Sequence, residues 1–408
     1  MSGPTGPPAK SKLDPENVVE RLARSGLRGR GGAWFPAARK WRAVRVEGGD
    51  PIVIANGAEG EPGSIKDRWL MLRRPAEILE GLVIAARAVG AREAICYLKD
   101  SFDVPARALA AALPSVEADG ITLSIRRGDD GYIAGEETAI LEALEGRRAW
   151  PRPTPPRPAA VGLLGRPTLV QNVETLARVP AALRDPEGYR ARETTLISLW
   201  GDVRRPGVYE VPLGIPVAEM VESFGDGAPD GLGMIFPAGP SAPPLSGAQA
   251  ATPFEPEALR AAGSELGTAS VLVVGASRCP LSVASSLADF YEHEACGQCP
   301  PCTVGTASLA RILRAVEAGT AHSKELSDLA EAAGFMAQHG YCAHCRTAAD
   351  GARGIVARFR EDVRAHIEGG RCPRPQSHCR PFDAGSPERR AIEGLLEAWQ
   401  RRTEPVPR

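Results

Sequence analysis

Ile52-Val-Ile-Ala-Asn56-Gly57-Ala58-Glu59-Gly60-Glu61-Pro62-Gly63 sets a run of four apolar residues directly before a loop of glycine and carboxylate. A short apolar run closed by turn residues reads as a buried strand. Similar runs at 94–98 and 121–125 read as further strands, and helical patterns fill 74–89, 104–113 and 136–144. Alternating strand and helix predicts an α/β layer with a mostly parallel sheet. In such sheets ligands sit outside the carboxyl ends of the strands, which is where the 56–63 loop falls. Gly131-Tyr-Ile-Ala-Gly135-Glu136-Glu137-Thr-Ala139 repeats the theme before another helix, with first-turn carboxylates that also favour the helix dipole. Upstream, Leu27-Arg-Gly29-Arg-Gly31-Gly32-Ala-Trp-Phe35-Pro36 is a glycine loop that lets backbone amides approach a phosphate, and Lys40 follows on the next helix to meet the same anion.

Beyond this layer the pattern changes. Five prolines between 151 and 158 predict an extended ordered loop. Residues 195–274 read as a small α+β unit, with strands at 196–200, 208–211 and 269–274 and a helix at 216–224. After 281 the chain turns helical at 281–293, 306–317, 323–338 and 346–368, and a last amphipathic helix carries Ile392, Leu395, Leu396 and Trp399 as a face that docks on the parent protein.

Composition narrows the function. The 408 residues carry 49 Lys and Arg against 50 Asp and Glu, a net of −1, so no basic surplus exists to hold nucleic acid. No apolar stretch reaches membrane-spanning length and no secretory signal is visible, which predicts a cytoplasmic protein. Residues 1–14, rich in Pro, Gly and Lys, read as a disordered lead. Seven of nine cysteines follow residue 295, and clustering of that kind in a reducing compartment reads as metal binding. Cys296-Gly-Gln-Cys299-Pro-Pro-Cys302 offers three thiols at the spacing that wraps one side of an iron–sulfur cube, in preference to a zinc knot. The fourth ligand must come from Cys342, Cys345, Cys372 or Cys379. A second metal site from Cys345, Cys372, Cys379, His344 and His378 is disfavoured by their irregular spacing, which reads as scattered thiols.

Taken in order, these segments resemble the flavin- and NADH-binding (51-kDa) subunit of respiratory complex I and the diaphorase subunits of NAD-linked hydrogenases and formate dehydrogenases. The resemblance runs from about residue 18 to 368 and rests on Ser25-Gly-Leu-Arg-Gly-Arg-Gly-Gly-Ala33, Glu59-Gly-Glu-Pro-Gly63, Gly135-Glu-Glu-Thr-Ala139, Pro158-Ala-Ala-Val-Gly162, Asn172-Val-Glu-Thr175 and the cysteine triplet. It implies a Rossmann-like FMN domain over 15–190, an SLBB (ubiquitin-like) domain over 191–280, a helical [4Fe–4S] domain over 281–368 and a tail over 369–408. Pro206-Gly-Val-Tyr-Glu-Val-Pro-Leu-Gly214 is similar to the SLBB pattern. The resemblance implies that Gly29, Gly31, Gly32 and Lys40 face the FMN phosphate, and that Asn56, Glu59, Gly135, Glu136, Glu137 and Asn172 line the flavin. Phe35 and Glu61 would meet the dinucleotide, with Glu137 as the catalytic-site carboxylate acting electrostatically. Cys296, Cys299, Cys302 and Cys342 would hold the cluster, Cys342 being chosen because the family's last ligand precedes Ala.

The function implied is hydride transfer from NAD(P)H to FMN, then single electrons through the cluster to a redox partner. That partner would be a small [2Fe–2S] subunit or a ferredoxin-like protein in a multi-subunit complex, with attachment to the inner face of the cell membrane also open. No added iron–sulfur domain is visible before residue 18 or after 368, so electrons would leave to a separate protein. Departures thin the dinucleotide contacts: Trp34 stands for Gly, Arg42-Ala43 for Ser-Phe, Ala58 for Asp, Thr154 for Lys and Arg157 for Phe. An indole at 34 is expected to point into the cleft and obstruct NADH. The alternative function is an FMN and iron–sulfur relay that no longer binds NAD(P)H.

Overall fold

The computed structural model describes residues 15–403 apart from 119, 371 and 375–377; the expected lead at 1–14 lies outside the described residues. Helices α1 (Pro15–Ser25) and α2 (Ala37–Glu47) precede β1 (Ile52–Asn56). Next come α3 (Lys66–Arg73), α4 (Pro75–Val89), β2 (Glu93–Lys99), α5 (Asp103–Ala112), β3 (Thr122–Gly128), α6 (Glu137–Leu144), β4 (Thr168–Asn172), α7 (Val173–Arg184) and α8 (Pro186–Ala191). The four strands form a wholly parallel sheet in the order β3-β2-β1-β4. Strand alternation splits the apolar side chains between two faces. Val53, Ala55 and Leu169 pack under α4 and α7, while Ile52, Ile54 and Val170 pack against Ile140 and Leu141 of α6. The order in which strands are added reverses between β1 and β4, so the crevice at their carboxyl ends is the topological switch point.

A second, mixed sheet follows, in the order β6-β5-β9-β7-β8: β5 (Thr194–Gly201), β6 (Gly207–Pro212), β7 (Leu232–Phe236), β8 (Leu245–Ser246) and β9 (Ser270–Gly275). Only the β5/β9 pair is parallel. Ile197, Leu199, Val271 and Val273 face α9 (Val217–Gly225) and α10 (Pro256–Ala261), whereas Trp200, Leu272 and Val274 face the helices that follow.

Those helices are α11 (Pro280–His293), α12 (Pro300–Glu317), α13 (Ser323–His339), α14 (Ala343–Arg358) and α15 (Arg360–Gly369). Two details differ from the sequence reading. Helix α12 begins at Pro300, because Pro300 and Pro301 occupy first-turn positions whose N–H groups have no intrahelical partner. The long last helix is two helices, broken at Phe359, whose ψ of 44° leaves the helical region. Finally α16 (Pro387–Thr403) lays Ile392 and Leu396 into the same core as the bundle. Among the described residues no helix is long and apolar enough to cross a membrane.

Candidate flavin and iron–sulfur site

The switch-point crevice is flanked by two asparagines in register, Asn56 ending β1 and Asn172 ending β4. Asn56 donates from Nδ2 to the Gly135 carbonyl (2.9 Å) and accepts from the Ala58 amide, which ties the β1 loop to the 131–137 segment. Asn172 caps α7 by accepting from the amides of Glu174 and Thr175, and its Nδ2 donates to Asp67 (2.7 Å). The glycine loop folds over this end of the sheet. A Cβ on Gly31 would stand 3.1 Å from the Asn172 side chain, a tight contact that the bare glycine backbone avoids. Lys40, on α2, pairs with Glu137 at 2.6 Å, both side chains about 30% exposed at the crevice rim (29% and 31%). The structure thus brings Gly31, Lys40, Asn56, Gly135, Glu137 and Asn172 together.

Two predicted carboxylates do not open into the crevice. Glu59 accepts from Ser64 (2.6 Å), from the Asp67 and Arg68 amides, and from the Arg68 guanidinium (2.9 Å). Burial works to raise its pKa, but Arg68 and Lys66 outweigh it and hold the carboxyl below its usual range. Glu136 is the N-cap of α6, accepting from the Thr138 and Ala139 amides, and burial raises its pKa. Glu61 turns the other way and accepts from Ser241 (2.6 Å) and Tyr132 (3.4 Å); burial, only partly offset by these bonds, lifts its carboxyl to about 7. Phe35 is 45% exposed, with the Arg39 guanidinium 5.1 Å over its ring.

Trp34 overturns the expectation made for it. Its indole is 5% exposed, lies in the core under the second sheet, and donates from Nε1 to the Gly267 carbonyl at 2.7 Å. The Arg30 guanidinium lies 4.2 Å over its ring. The backbone keeps a left-handed φ of 53°, a conformation natural to glycine, and this sends the side chain away from the crevice. The indole pegs the glycine loop to the second sheet and blocks nothing.

Beneath the crevice lies a charge network that sequence reading missed. Lys66, 1% exposed, donates to Asp67 (2.7 Å) and Glu174 (2.9 Å), and Arg178 donates to Glu174 (2.9 Å). Burial would raise the Glu174 pKa, but Lys66, Arg178 and Arg30 outweigh it and bring it to about 2. Asp67 goes the opposite way, to about 6: burial and the carboxylates of Glu59 and Glu174 exceed the pull of Lys66. Asn172-Val-Glu-Thr175 entered the sequence reading only as a motif of the resemblance; the Lys66 partner of Glu174 lies more than a hundred residues away.

The cysteines form a second pocket one short turn from the crevice. Cys296, Cys299 and Cys302 line it with Cys342 and Cys345, closed by Ile133, Pro151, Tyr341 and His344. Gln298 donates to the Pro151 carbonyl (2.7 Å), and Glu294 accepts from the Tyr132 amide (3.1 Å), which fixes the pocket against the 131–137 segment. Cys345 is fully buried and spends its S–H on the Met336 carbonyl (3.3 Å), whereas Cys342 stands at the N-cap of α14. His344 Nδ1 is buried beside the pocket without a hydrogen-bond partner, and burial lowers that imidazole's pKa. The sulfur donor set fits an iron–sulfur cluster. In the crevice, an ammonium, a glycine loop and two amide side chains fit a phosphorylated, hydrogen-bonding cofactor.

Comparisons with known proteins agree. Residues 22–181 match the model of the Nuo51 FMN-binding domain, and residues 282–366 that of the NADH-ubiquinone oxidoreductase-F iron–sulfur binding region. The chain is 38% identical over 387 residues to the F 2 subunit of NADH-quinone oxidoreductase from Rhizobium meliloti (strain 1021), covering 90% of this chain and 92% of that one. It is 36% identical to the F subunit of NADH-quinone oxidoreductase from Streptomyces coelicolor, covering 88% and 85%. Among solved structures, an NAD+-reducing [NiFe]-hydrogenase in its H2-reduced state superposes with a TM-score of 0.81 at 33% identity, covering 97% of this chain and 68% of that one. With both domains matched in order and a 38% identical relative aligned over nine-tenths of its length, the chain belongs to the family of NADH-quinone oxidoreductase F subunits, the 51-kDa flavin and iron–sulfur component of complex I.

Proposed function

We propose that this chain oxidises NADH at an FMN held in the β1/β4 crevice and passes single electrons through a [4Fe–4S] cluster in the thiol pocket to a partner protein. The observation that carries the reading is the shared 133–137 segment: Ile133 lines the thiol pocket while Gly135 binds Asn56 and Glu137 binds Lys40 in the crevice. One turn of chain therefore forms a wall of both centres. When bound, the two cofactors supply hydride acceptance and one-electron transfer; the chain supplies binding, orientation and electrostatics.

In this reading Gly29, Gly31, Gly32 and Lys40 hold the phosphate, and Lys40 exchanges part of its Glu137 contact for it. Asn56, Gly135 and Asn172 line the flavin, with Glu59 and Glu136 locking the loops behind them. Phe35, Glu61 and Glu137 face the dinucleotide side, where Glu137 acts electrostatically. Cys296, Cys299, Cys302 and Cys342 ligate the cluster. The division into an FMN unit (15–190), an SLBB unit (191–280), a cluster bundle (281–368) and a docked tail (369–408) is supported by the two sheets and the helical bundle. The acceptor is a small [2Fe–2S] or ferredoxin-like protein, in a multi-subunit assembly at the cytoplasmic side. With Trp34 turned away, the relay reading loses its main support.

Anaerobic titration of the flavin- and cluster-loaded chain with NADH tests this. Bleaching of flavin absorbance together with a reduced-cluster paramagnetic signal is expected. Bleaching by dithionite but not by NADH refutes it.

A further inference from the structure

Away from the thiol pocket, three ligand atoms gather within 4.8 Å of one another: Cys279 Sγ, a nitrogen of His366 and Cys372 Sγ. They come from three separate places in the chain, the N-cap of α11, the last turn of α15 and the loop beyond it. Cys279 and His366 are 2% and 0% exposed. The matched iron–sulfur region spans 282–366, so it includes His366 and leaves out both cysteines.

The details are those of a built site. His366 Nδ1 lies 2.8 Å from the Asp362 carbonyl. A carbonyl only accepts, so Nδ1 carries the proton and Nε2 presents its lone pair. That Nε2 faces Cys279 Sγ at 3.5 Å. Zinc bonds of about 2.3 Å to sulfur and 2.0–2.1 Å to nitrogen, at tetrahedral angles, give an S···N edge of about 3.6 Å. An outer ring orients the set, as metal-binding histidines usually require. The Asp362 carboxylate binds the Arg374 guanidinium (2.7 and 3.0 Å), and the Arg374 amide donates to Cys372 Sγ (3.4 Å). Arg374 also binds the Ala276 carbonyl, three residues before Cys279.

A fourth thiol is close. Cys379 is 3% exposed, and its amide donates to Ser282 Oγ (3.1 Å), a hydroxyl that also contacts the carbonyls of Cys279 (3.0 Å) and Cys379 (3.1 Å). Its Sγ lies 3.8 Å from a Glu388 oxygen. We infer that Cys279, His366 and Cys372 bind a single structural zinc ion, with Cys379 rotating away from Glu388 to complete a three-sulfur, one-nitrogen tetrahedron. Soft thiolates with one imidazole and no open position select zinc in a structural role. The ion staples the C-terminal tail to the bundle.

Elemental analysis of the purified full-length chain tests the assignment independently of any NADH reaction. About one zinc per chain is expected in addition to cluster iron. Cys372→Ser should lower zinc tenfold or more while iron and flavin stay at wild-type levels. Zinc below a tenth per chain in iron-replete protein, or zinc unchanged in Cys372→Ser, overturns the site. Because Cys279→Ser alters a core position, cobalt exchange into the unmutated chain provides a second readout: the thiolate-to-cobalt absorption should count three thiolates and drop by a third in Cys379→Ser. Equal absorption in Cys379→Ser overturns the fourth ligand.

Discussion

Replacing Trp34 by glycine, the residue usual at this place in the family, should weaken the protein without quickening it. The indole is almost fully buried, and truncating a buried Trp costs about 3–5 kcal/mol. Its Nε1 bond to the Gly267 carbonyl goes too, and an orphaned buried acceptor costs at least ~1 kcal/mol. Against this, glycine relieves the left-handed backbone at φ 53°, worth about 1–2 kcal/mol. The net is a loss of about 3–4 kcal/mol from those principles together. Urea unfolding of the loaded protein, followed by circular dichroism, should show a lowered midpoint for Trp34→Gly. The rate of NADH-dependent bleaching per bound flavin should stay within about twofold. A variant as stable as wild type that bleaches tenfold faster or more would refute the argument, since that is the signature of an indole standing in the cleft.

Lys40→Ala should lower flavin retention on dialysis, since a charge-assisted contact to phosphate is worth about 1.5–3 kcal/mol; equal flavin content would refute the assignment. Cys342→Ser should lose or convert the cluster, read as iron and sulfide per chain, while Cys345→Ser, which removes a thiol already bonded to Met336, should keep it. Lys66→Met leaves Asp67 and Glu174 buried without their shared cation and should cost about 3–5 kcal/mol, visible as a lowered urea midpoint. Glu61, lifted to about 7 chiefly by burial, binds its proton more tightly in the folded state than in the unfolded one. Its contribution is therefore full below pH 4.5 and is lost as pH rises to about 7. Glu61→Gln should flatten the stability profile over that window, and an unchanged profile would refute it.

Much of this was readable from the sequence because it is local. Apolar runs gave β1, β2 and β3, and spacing alone marked three of the cysteines. What escaped notice was set by distant partners or by overlapping signals. Thr168–Asn172 is a five-residue strand that passes into α7 without a turn, so Asn172 ends one element and caps the next. Helices α3 and α7 carry polar residues that find buried partners only in the fold, as Lys66 and Glu174 do. The roles of Glu59 and Glu136 as caps depend on which way a loop turns. Cys279 lies some ninety residues from His366 and Cys372, so no local spacing pointed to that group.

Glu174 has a wider consequence. Besides its cations it accepts the Leu196 amide at 2.9 Å, at the start of the second sheet. Further along the same seam, the Ile65 amide donates to Ser198, Ser270 donates to the Pro62 carbonyl, and Gly63, at φ 70°, has no room for a Cβ against Trp200. The joint between the two sheets is therefore welded rather than hinged. Neither half can be excised without stranding ionised groups that the other neutralises or caps. A fragment ending near residue 190 would take Glu174 with it but leave the Leu196 amide behind. The boundary drawn between the first two units therefore runs beside a seam of cross-sheet bonds, and a cut there breaks bonds on both sides.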